Sequence, residues 1–540
     1  MISYSFTGLI GTGIPAFSTN VTDLEVAWID GAPRLYSANL PGPGAGYAAY
    51  DISAPGTPAT LLAVQGYSAP VHHLSTPDFL VLPGLGGAPG NLIAAGVTPS
   101  GWASYHLTGG GGLAAPLDTP FSFNPVAVAG LASGGANFVY FATAGAATPL
   151  AFRLSDSGAF TPVGLTAPTP GGSTQDDLTV ARTDGGNYLL SVSAAGNTVS
   201  SYAIAANGGL SLAGQADAQA GTGFSKPTEV AALTVLGQTF AVVAAQESSS
   251  LSVFRILPGG MLYHADHVVD GLATRFAGAT ALATLQIGDR GYVAVGGADG
   301  GVEVMTLLPD GRLIDLLTIA DDAAMSLDHV STLSLAQVNG RTSLFAASAT
   351  EPGLTQIELN LGTPGVTLWQ QAGAVLGGAG DDLLAAGAAT TEIRGGAGDD
   401  LIVGGGAGGA ALLYGGAGAD RFPLSASAQT IRIMDYQPGI DRLDLSSLPM
   451  LRNLGQMTIA TTATGADLVF GTTTIHIESF DGNPIPVTAF AEAQMLALTR
   501  YAPVAQSDVR AGTAGNDVMA APDAGAMLLG LAGHDRLTGG

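Results

Sequence analysis

Apolar residues in this chain fall in short alternating stretches and helical spacing is nearly absent, which predicts an all-β protein. Over the first 370 residues a strand core of the form apolar-x-apolar returns seven times. The copies read Tyr50-Asp51-Ile52, Tyr105-His106-Leu107, Phe152-Arg153-Leu154, Tyr202-Ala203-Ile204, Phe254-Arg255-Ile256, Met305-Thr306-Leu307 and Ile357-Glu358-Leu359, at steps of 55, 47, 50, 52, 51 and 52 residues. A period near 50 with about four short strands per unit is how propeller blades look in sequence. Asn207-Gly208-Gly209-Leu210, Pro258-Gly259-Gly260-Met261 and Pro309-Asp310-Gly311-Arg312-Leu313 sit at matching places, where a tight hairpin needs glycine. The pattern predicts a seven-bladed β-propeller over residues 1–372. A long β-solenoid or a pair of sandwiches is the competing architecture.

Beyond residue 372 the rhythm changes. Gly377-Gly378-Ala379-Gly380-Asp381-Asp382-Leu383-Leu384 returns as Gly395-Gly396-Ala397-Gly398-Asp399-Asp400-Leu401-Ile402 and as Gly415-Gly416-Ala417-Gly418-Ala419-Asp420-Arg421-Phe422. Each copy fits the nonapeptide G-G-x-G-x-D-x-U-x, with U a large apolar residue. Glycines let the chain turn at positive φ and aim carbonyls inward, the aspartate brings charge, and the apolar residue begins a short buried strand. Those are suitable donors for calcium, a hard cation that takes about six to eight oxygens. The bland alternative is a flexible glycine-rich linker, and three matching copies speak against it.

Register sharpens the expectation. Gly377 and Gly395 are 18 residues apart, or two nonapeptides, so their loops stack on one side of a β-roll. Gly395 and Gly415 are 20 apart, the same step with two residues inserted. The intervening half-turns keep an apolar residue (Ile393, Leu413) but carry Thr391 and Ala411 in the acid slots. The expected result is a one-sided ladder, with one ion between the Asp382 and Asp400 loops and another between those of Asp400 and Asp420. A second copy follows at Gly512-Thr513-Ala514-Gly515-Asn516-Asp517 and Gly530-Leu531-Ala532-Gly533-His534-Asp535, again 18 apart. Gly539-Gly540 open a further repeat, so the sequence reads as a piece of a longer chain.

The nonapeptides resemble the calcium-binding repeats of the RTX (repeats-in-toxin, hemolysin-type) family of secreted bacterial proteins. The resemblance implies Ca2+ as ligand, held at Gly377, Gly378, Gly380 and Asp382, at the corresponding residues of the next two loops, and at Gly512, Gly515, Asp517, Gly530, Gly533 and Asp535. It also implies type I secretion and an extracellular location. Residues 415–446, with Ile431-Arg432-Ile433-Met434-Asp435-Tyr436 and Gly439-Ile440-Asp441-Arg442-Leu443-Asp444, resemble the segment that follows the roll in serralysin-type metalloproteases. No H-E-x-x-H accompanies it, so the protease activity does not carry over. The blade rhythm resembles the lactonase-type (6-phosphogluconolactonase-like) propellers, in repeat style and in no catalytic motif. The expected organisation is a propeller over 1–372, a first roll over 373–423, a β-rich segment over 424–505 with a short helical piece near its end, and the start of a second roll over 506–540.

Composition narrows the partners. A net charge of -25 argues against nucleic acid and anionic membranes and suits a cation-binding protein. There is no cysteine, hence no disulfide. The N-terminus has no signal-peptide pattern, and no apolar run is long enough to predict a membrane span. Lys226 is the only lysine, which with the missing apolar helix disfavours a pore-forming toxin.

Catalytic signals are weaker. Counting back 25 to 32 residues from each strand core selects Asp23, His73, Asn124, Asp177, Glu229, Thr280 and His329. These would sit where the innermost strand of each blade meets the channel mouth, as a metal site or as acids and bases. The alternative is that strand starts are polar because they meet solvent. Asp435, Asp441 and Asp444 either add calcium ligands or cap strands. His264 and His267 would approach one another only if their strand bends, and a solvated pair is the simpler expectation. Two functions follow. The favoured one is a secreted calcium-binding protein whose propeller presents a recognition or adhesion surface to an extracellular ligand. The other is a secreted lactone- or ester-opening hydrolase working at the channel mouth.

Overall fold

The computed structural model describes residues 2–40, 44–67, 77–84, 89–96, 101–117, 123–164, 173–217, 222–406, 409, 411–501, 508–511, 516–520, 526–529 and 534–538. Seven antiparallel sheets of four strands, one of them extended by a fifth, follow one another as blades. The strand cores found in the sequence fall on the third strand of each blade, from Gly46–Asp51 in blade 1 to Leu354–Asn360 in blade 7. Middle strands are buried on both faces, so they read as continuous apolar runs: Gln238–Ala245 exposes little beyond its first residue. Outermost strands such as Leu210–Asp217 are half wet and carry polar residues.

The ring closes in a way the repeat count does not show. Blade 7 takes its fourth strand from the other end of the chain: Ser3–Ile10 pairs antiparallel with Leu354–Asn360, from Ser3 opposite Asn360 to Ile10 opposite Leu354. The strand that follows blade 7, Pro364–Leu376, is therefore free for other work. It pairs in parallel with Asp381–Ala397 as the first coil of a solenoid, and the expected 372/373 division falls inside it.

The solenoid has two parallel faces. Leu383, Leu401, Arg421 and Arg442 run along one, and Ile393, Leu413 and Ile433 along the other. Between them lies a dry core of Leu384, Ile402, Phe422 and Leu443 against Val375, Ile393, Leu413 and Ile433. The second face continues into Thr473–Ser479, in parallel, and then into an antiparallel meander of Gly465–Phe470 and Thr458–Thr461. The helical piece is one turn, Glu492–Met495.

The solenoid is fastened to the propeller. Leu308 and Ile314 of blade 6 share an apolar cluster with Leu383, Ala385, Leu401 and Val403. Thr499–Arg500 adds itself to blade 5 as the fifth strand. Arg500 pairs with Asp266 at 2.8 Å, both side chains nearly fully buried, and also bonds the Leu313 carbonyl and the Ser447 hydroxyl. Arg421, the residue after Asp420, reaches the Asp315 carbonyl in blade 6 and pairs with Asp444 at 3.0 Å. At the C-terminal end Val518–Ala520 pairs in parallel with Arg536–Thr538, as the second roll requires.

Candidate functional site

In the solenoid the stacked loops bring their acids into one column. The Asp382 N–H donates to Asp400 Oδ1 at 2.8 Å, the Asp400 N–H to Asp420 Oδ1 at 2.9 Å, and the Asp420 N–H to Asp441 Oδ1 at 3.0 Å. The ladder therefore runs one rung beyond the expected loops, to Asp441. Asp435 instead accepts the Gly415 and Gly416 N–H groups, and Asp444 is the partner of Arg421 and of Ser446. A second column, one residue earlier, was not anticipated. Asp381 accepts the Asp399 N–H at 2.7 Å and Asp399 accepts the Ala419 N–H at 2.8 Å. Its signal was the doubled aspartate of the first two copies.

Asp382 and Asp441, at the two ends of the column, accept backbone N–H groups with both oxygens, whereas Asp400 and Asp420 use only Oδ1. Asp400 and Asp420 are each 1% exposed, and their Oδ2 atoms have no hydrogen-bond partner. A side chain on Gly395 would put its Cβ 2.0 Å from Asp400 Oδ2 and 2.4 Å from the Gly415 carbonyl; on Gly415, 2.2 Å from Asp420 Oδ2. At Gly377 the same test meets the Gly395 carbonyl at 2.1 Å and Asp382 Oδ2 at 2.3 Å. Glycine is therefore needed for space here, and at Gly396 and Gly398 for positive φ (113° and 124°) as well. A buried, unpaired carboxylate is costly, and burial raises Asp400 and Asp420 to about 7 and Asp441 to about 6. Among the described residues no three carboxylate or imidazole side chains converge on one point. A cation here would draw on Asp382, Asp400, Asp420 and Asp441 together with loop carbonyls, and the oxygens present suit a hard ion.

The second roll repeats the geometry in its described part. The Asp517 N–H donates to Asp535 Oδ1 at 2.9 Å and the His534 N–H to Asn516 Oδ1 at 2.7 Å, matching both columns of the first roll. Gly512, Gly515, Gly530 and Gly533 lie outside the described residues.

The propeller encloses a channel cavity of about 1140 Å³. Asp23, Asp177, Glu229, Thr280 and His329 all line it; His73 lies outside the described residues, and Asn124 is not among the lining residues. The position sought at His73 is filled by Asp78, 27 residues before its strand core and thus inside the same window. Asp176 and Lys226 also face the cavity and were not anticipated.

The acids have a clear structural use. Asp23 accepts the Phe79 N–H at 3.0 Å, Asp78 that of Val128 at 2.7 Å, Asp177 that of Val230 at 2.8 Å and Glu229 that of Leu282 at 2.7 Å. Each carboxyl thus caps the open edge of the next blade's innermost strand, where no strand partner exists. Burial raises Asp23 to about 6, Asp177 to about 7, and Asp78 and Glu229 well above the carboxylate range. The Asp23 charge adds to burial in pushing Asp78 upward. His329 stands exposed at the rim, paired with Asp328 at 2.9 Å.

No protein-family profile matches the chain, and no curated protein matches it in sequence. Among solved structures it is similar to a Lactobacillus plantarum protein determined by the Northeast Structural Genomics Consortium, at 17% identity and a TM-score of 0.40, over 61% of this chain and 99% of that one. It is also similar to the periplasmic gluconolactonase of Pseudomonas aeruginosa, at 19% identity and a TM-score of 0.43, over 56% of this chain and 86% of that one. The strand pairing itself defines the class. This is an all-β protein with a seven-bladed propeller followed by a parallel β-solenoid. No helix among the described residues is long and apolar enough to cross a membrane.

Proposed function

We propose that the glycine–aspartate loops bind calcium, and that the chain is a secreted RTX-type protein whose solenoid folds on extracellular calcium while its propeller presents a recognition surface. The observation that carries this reading is the pair of buried Asp400 and Asp420 oxygens without partners, set in loops where glycine leaves no side chain in the way. A divalent cation neutralises the column, and its binding energy becomes folding energy. Loops of this kind in extracellular modules work at roughly 10⁻⁴–10⁻³ M calcium, far above cytosolic levels, so the solenoid would order after export. Calorimetric titration of the chelator-treated full chain with CaCl2, followed by circular dichroism, tests the reading. Saturable binding with a gain of β signal supports it; no heat and an unchanged spectrum at 10 mM calcium, roughly ten times the upper end of that range, defeat it.

A second reading, lactone or ester hydrolysis, rests on Asp23 and Asp177, which line the channel cavity and whose raised pKa values suit proton transfer near neutrality. Lactone hydrolysis by the intact protein should then fall at least tenfold in Glu229→Gln or His329→Ala. Equal, negligible rates in all three remove it.

A further inference from the structure

The outer strand of blade 5, Leu262–Val269, carries a feature that the calcium loops do not explain. His264 and His267 are three residues apart and would face opposite sides of a regular strand. In the pairing with Ser250–Ile256, Phe254 stands opposite His264 and Val253 opposite Asp266, so Ala265 is the extra residue of a β-bulge. Beyond the bulge His267 pairs with Ser252, two residues from Phe254 on the partner strand. Both imidazoles therefore emerge on one face. The bend that the sequence left open is present, and the pair is buried, at 3% and 5% exposure, in place of the expected solvated one.

Both rings line one cavity of about 310 Å³ beside blade 5, walled by Gly223 and Tyr501. Each ring is held from behind. Nδ1 of His267 is 2.9 Å from the Ser252 hydroxyl, and the His264 ring stacks on Phe254, their centroids 5.0 Å apart. Nε2 of His264 is buried with no partner. Nε2 of His267 lies against Gly223, where an added Cβ would come within 2.8 Å of it. Burial lowers both rings to about 4, so they are neutral lone-pair donors at ordinary pH. In His267 one nitrogen is fixed by the protein and the other is left open, which is how metal-binding histidines are prepared.

We propose that His264 and His267 form a site for an imidazole-seeking divalent transition-metal ion, Cu2+ or Zn2+. An ion bound about 2.1 Å from each Nε2 would separate the two ring centroids by about 5–6 Å. The observed separation is 6.1 Å, with the rings inclined at 65°. Two side chains leave coordination positions for water, and the cavity has room for it. Nitrogen ligands separate this site from the oxygen-only calcium loops. It also lies where the returning C-terminal strand meets the propeller, since the Tyr501 N–H donates to the His267 carbonyl at 3.0 Å.

The test uses the full chain saturated with calcium, so that the aspartate loops are occupied, and titrates it with CuCl2. We expect a single strong site, an electron paramagnetic resonance signal split by two imidazole nitrogens, and displacement of Zn2+ by Cu2+ as the Irving–Williams order requires. His264→Phe, which keeps the stack on Phe254, and His267→Gln should each weaken binding about 100-fold or more. Ser252→Ala, which keeps both ligands, should weaken it about tenfold. A site that survives both histidine changes overturns the proposal. So does a parent spectrum lacking the two-nitrogen pattern, a result that needs no variant to fold.

Discussion

The propeller channel and the solenoid both bury carboxylates, and they use them differently. In the channel each acid takes a backbone N–H from the next blade, and the group as a whole faces a cavity of about 1140 Å³. In the solenoid Asp400, Asp420 and Asp441 each accept with Oδ1 a backbone N–H from the preceding loop, and Asp400 and Asp420 leave Oδ2 buried with nothing to bond. The same side chain is a stitch in one region and an incomplete site in the other. What differs is room and pairing: the channel acids face about 1140 Å³, whereas Asp400 and Asp420 border a cavity of only about 110 Å³ and keep a buried oxygen without a partner.

The largest effect that would separate the regions is calcium removal. With chelator the solenoid should lose its cooperative thermal transition while the propeller keeps its own; in millimolar calcium the solenoid transition should return and rise in temperature with concentration, as linkage demands. A calorimetric scan that is identical with and without calcium would erase the distinction. Next comes the fastening between them. Arg500→Ala strands Asp266 as an unpaired buried charge and should cost about 3–5 kcal/mol, read as a lower denaturant midpoint for the half of the molecule containing blade 5.

Paired amide substitutions are smaller and more pointed. Asp400→Asn should abolish most of the calcium-dependent rise in solenoid stability. Glu229→Gln can still accept the Leu282 N–H, so it should change propeller stability by less than about 1 kcal/mol and leave the calcium response intact. Similar responses at the two sites would mean that the acids do one job.

The smallest effect is in pH. Asp400 and Asp420 titrate near 7 in the calcium-free fold, against about 3.9 for an unfolded aspartate. Between those values the folded chain holds more protons than the unfolded one, so stability falls as pH rises from about 4 to 7. The calcium-free chain should therefore hold more folded solenoid at pH 5 than at pH 7.5, read by circular dichroism. With saturating calcium the order should reverse, since protons then compete with the ion. A calcium-free solenoid that gains stability toward pH 7.5 would contradict the burial of these groups.

Much of this was legible in the chain. The strand cores marked the third strand of every blade, and the 18- and 20-residue steps marked which loops stack. Both are local signals, because a blade or a coil repeats its backbone and must repeat its apolar positions. The column of Asp381 and Asp399 was visible as a doubled residue and had no assigned role. The choice of His73 over Asp78 shows the limit: both lie in one window, and only the pairing of Asp78 with the Val128 N–H identifies the acid that faces the channel.

By itself, then, the sequence determined the all-β class, the sevenfold repeat, the position of the glycine–aspartate loops and the kind of ion their oxygens suit. These follow from short-range periodicity and residue chemistry. The tertiary structure decided the closure of blade 7 by Ser3–Ile10, the extension of the acid column to Asp441, the burial that orphans Asp400 and Asp420, and the bulge that turns His264 and His267 to one side. Each of those depends on which distant strand lies alongside. That is settled by the packing of the whole chain, and no local period records it.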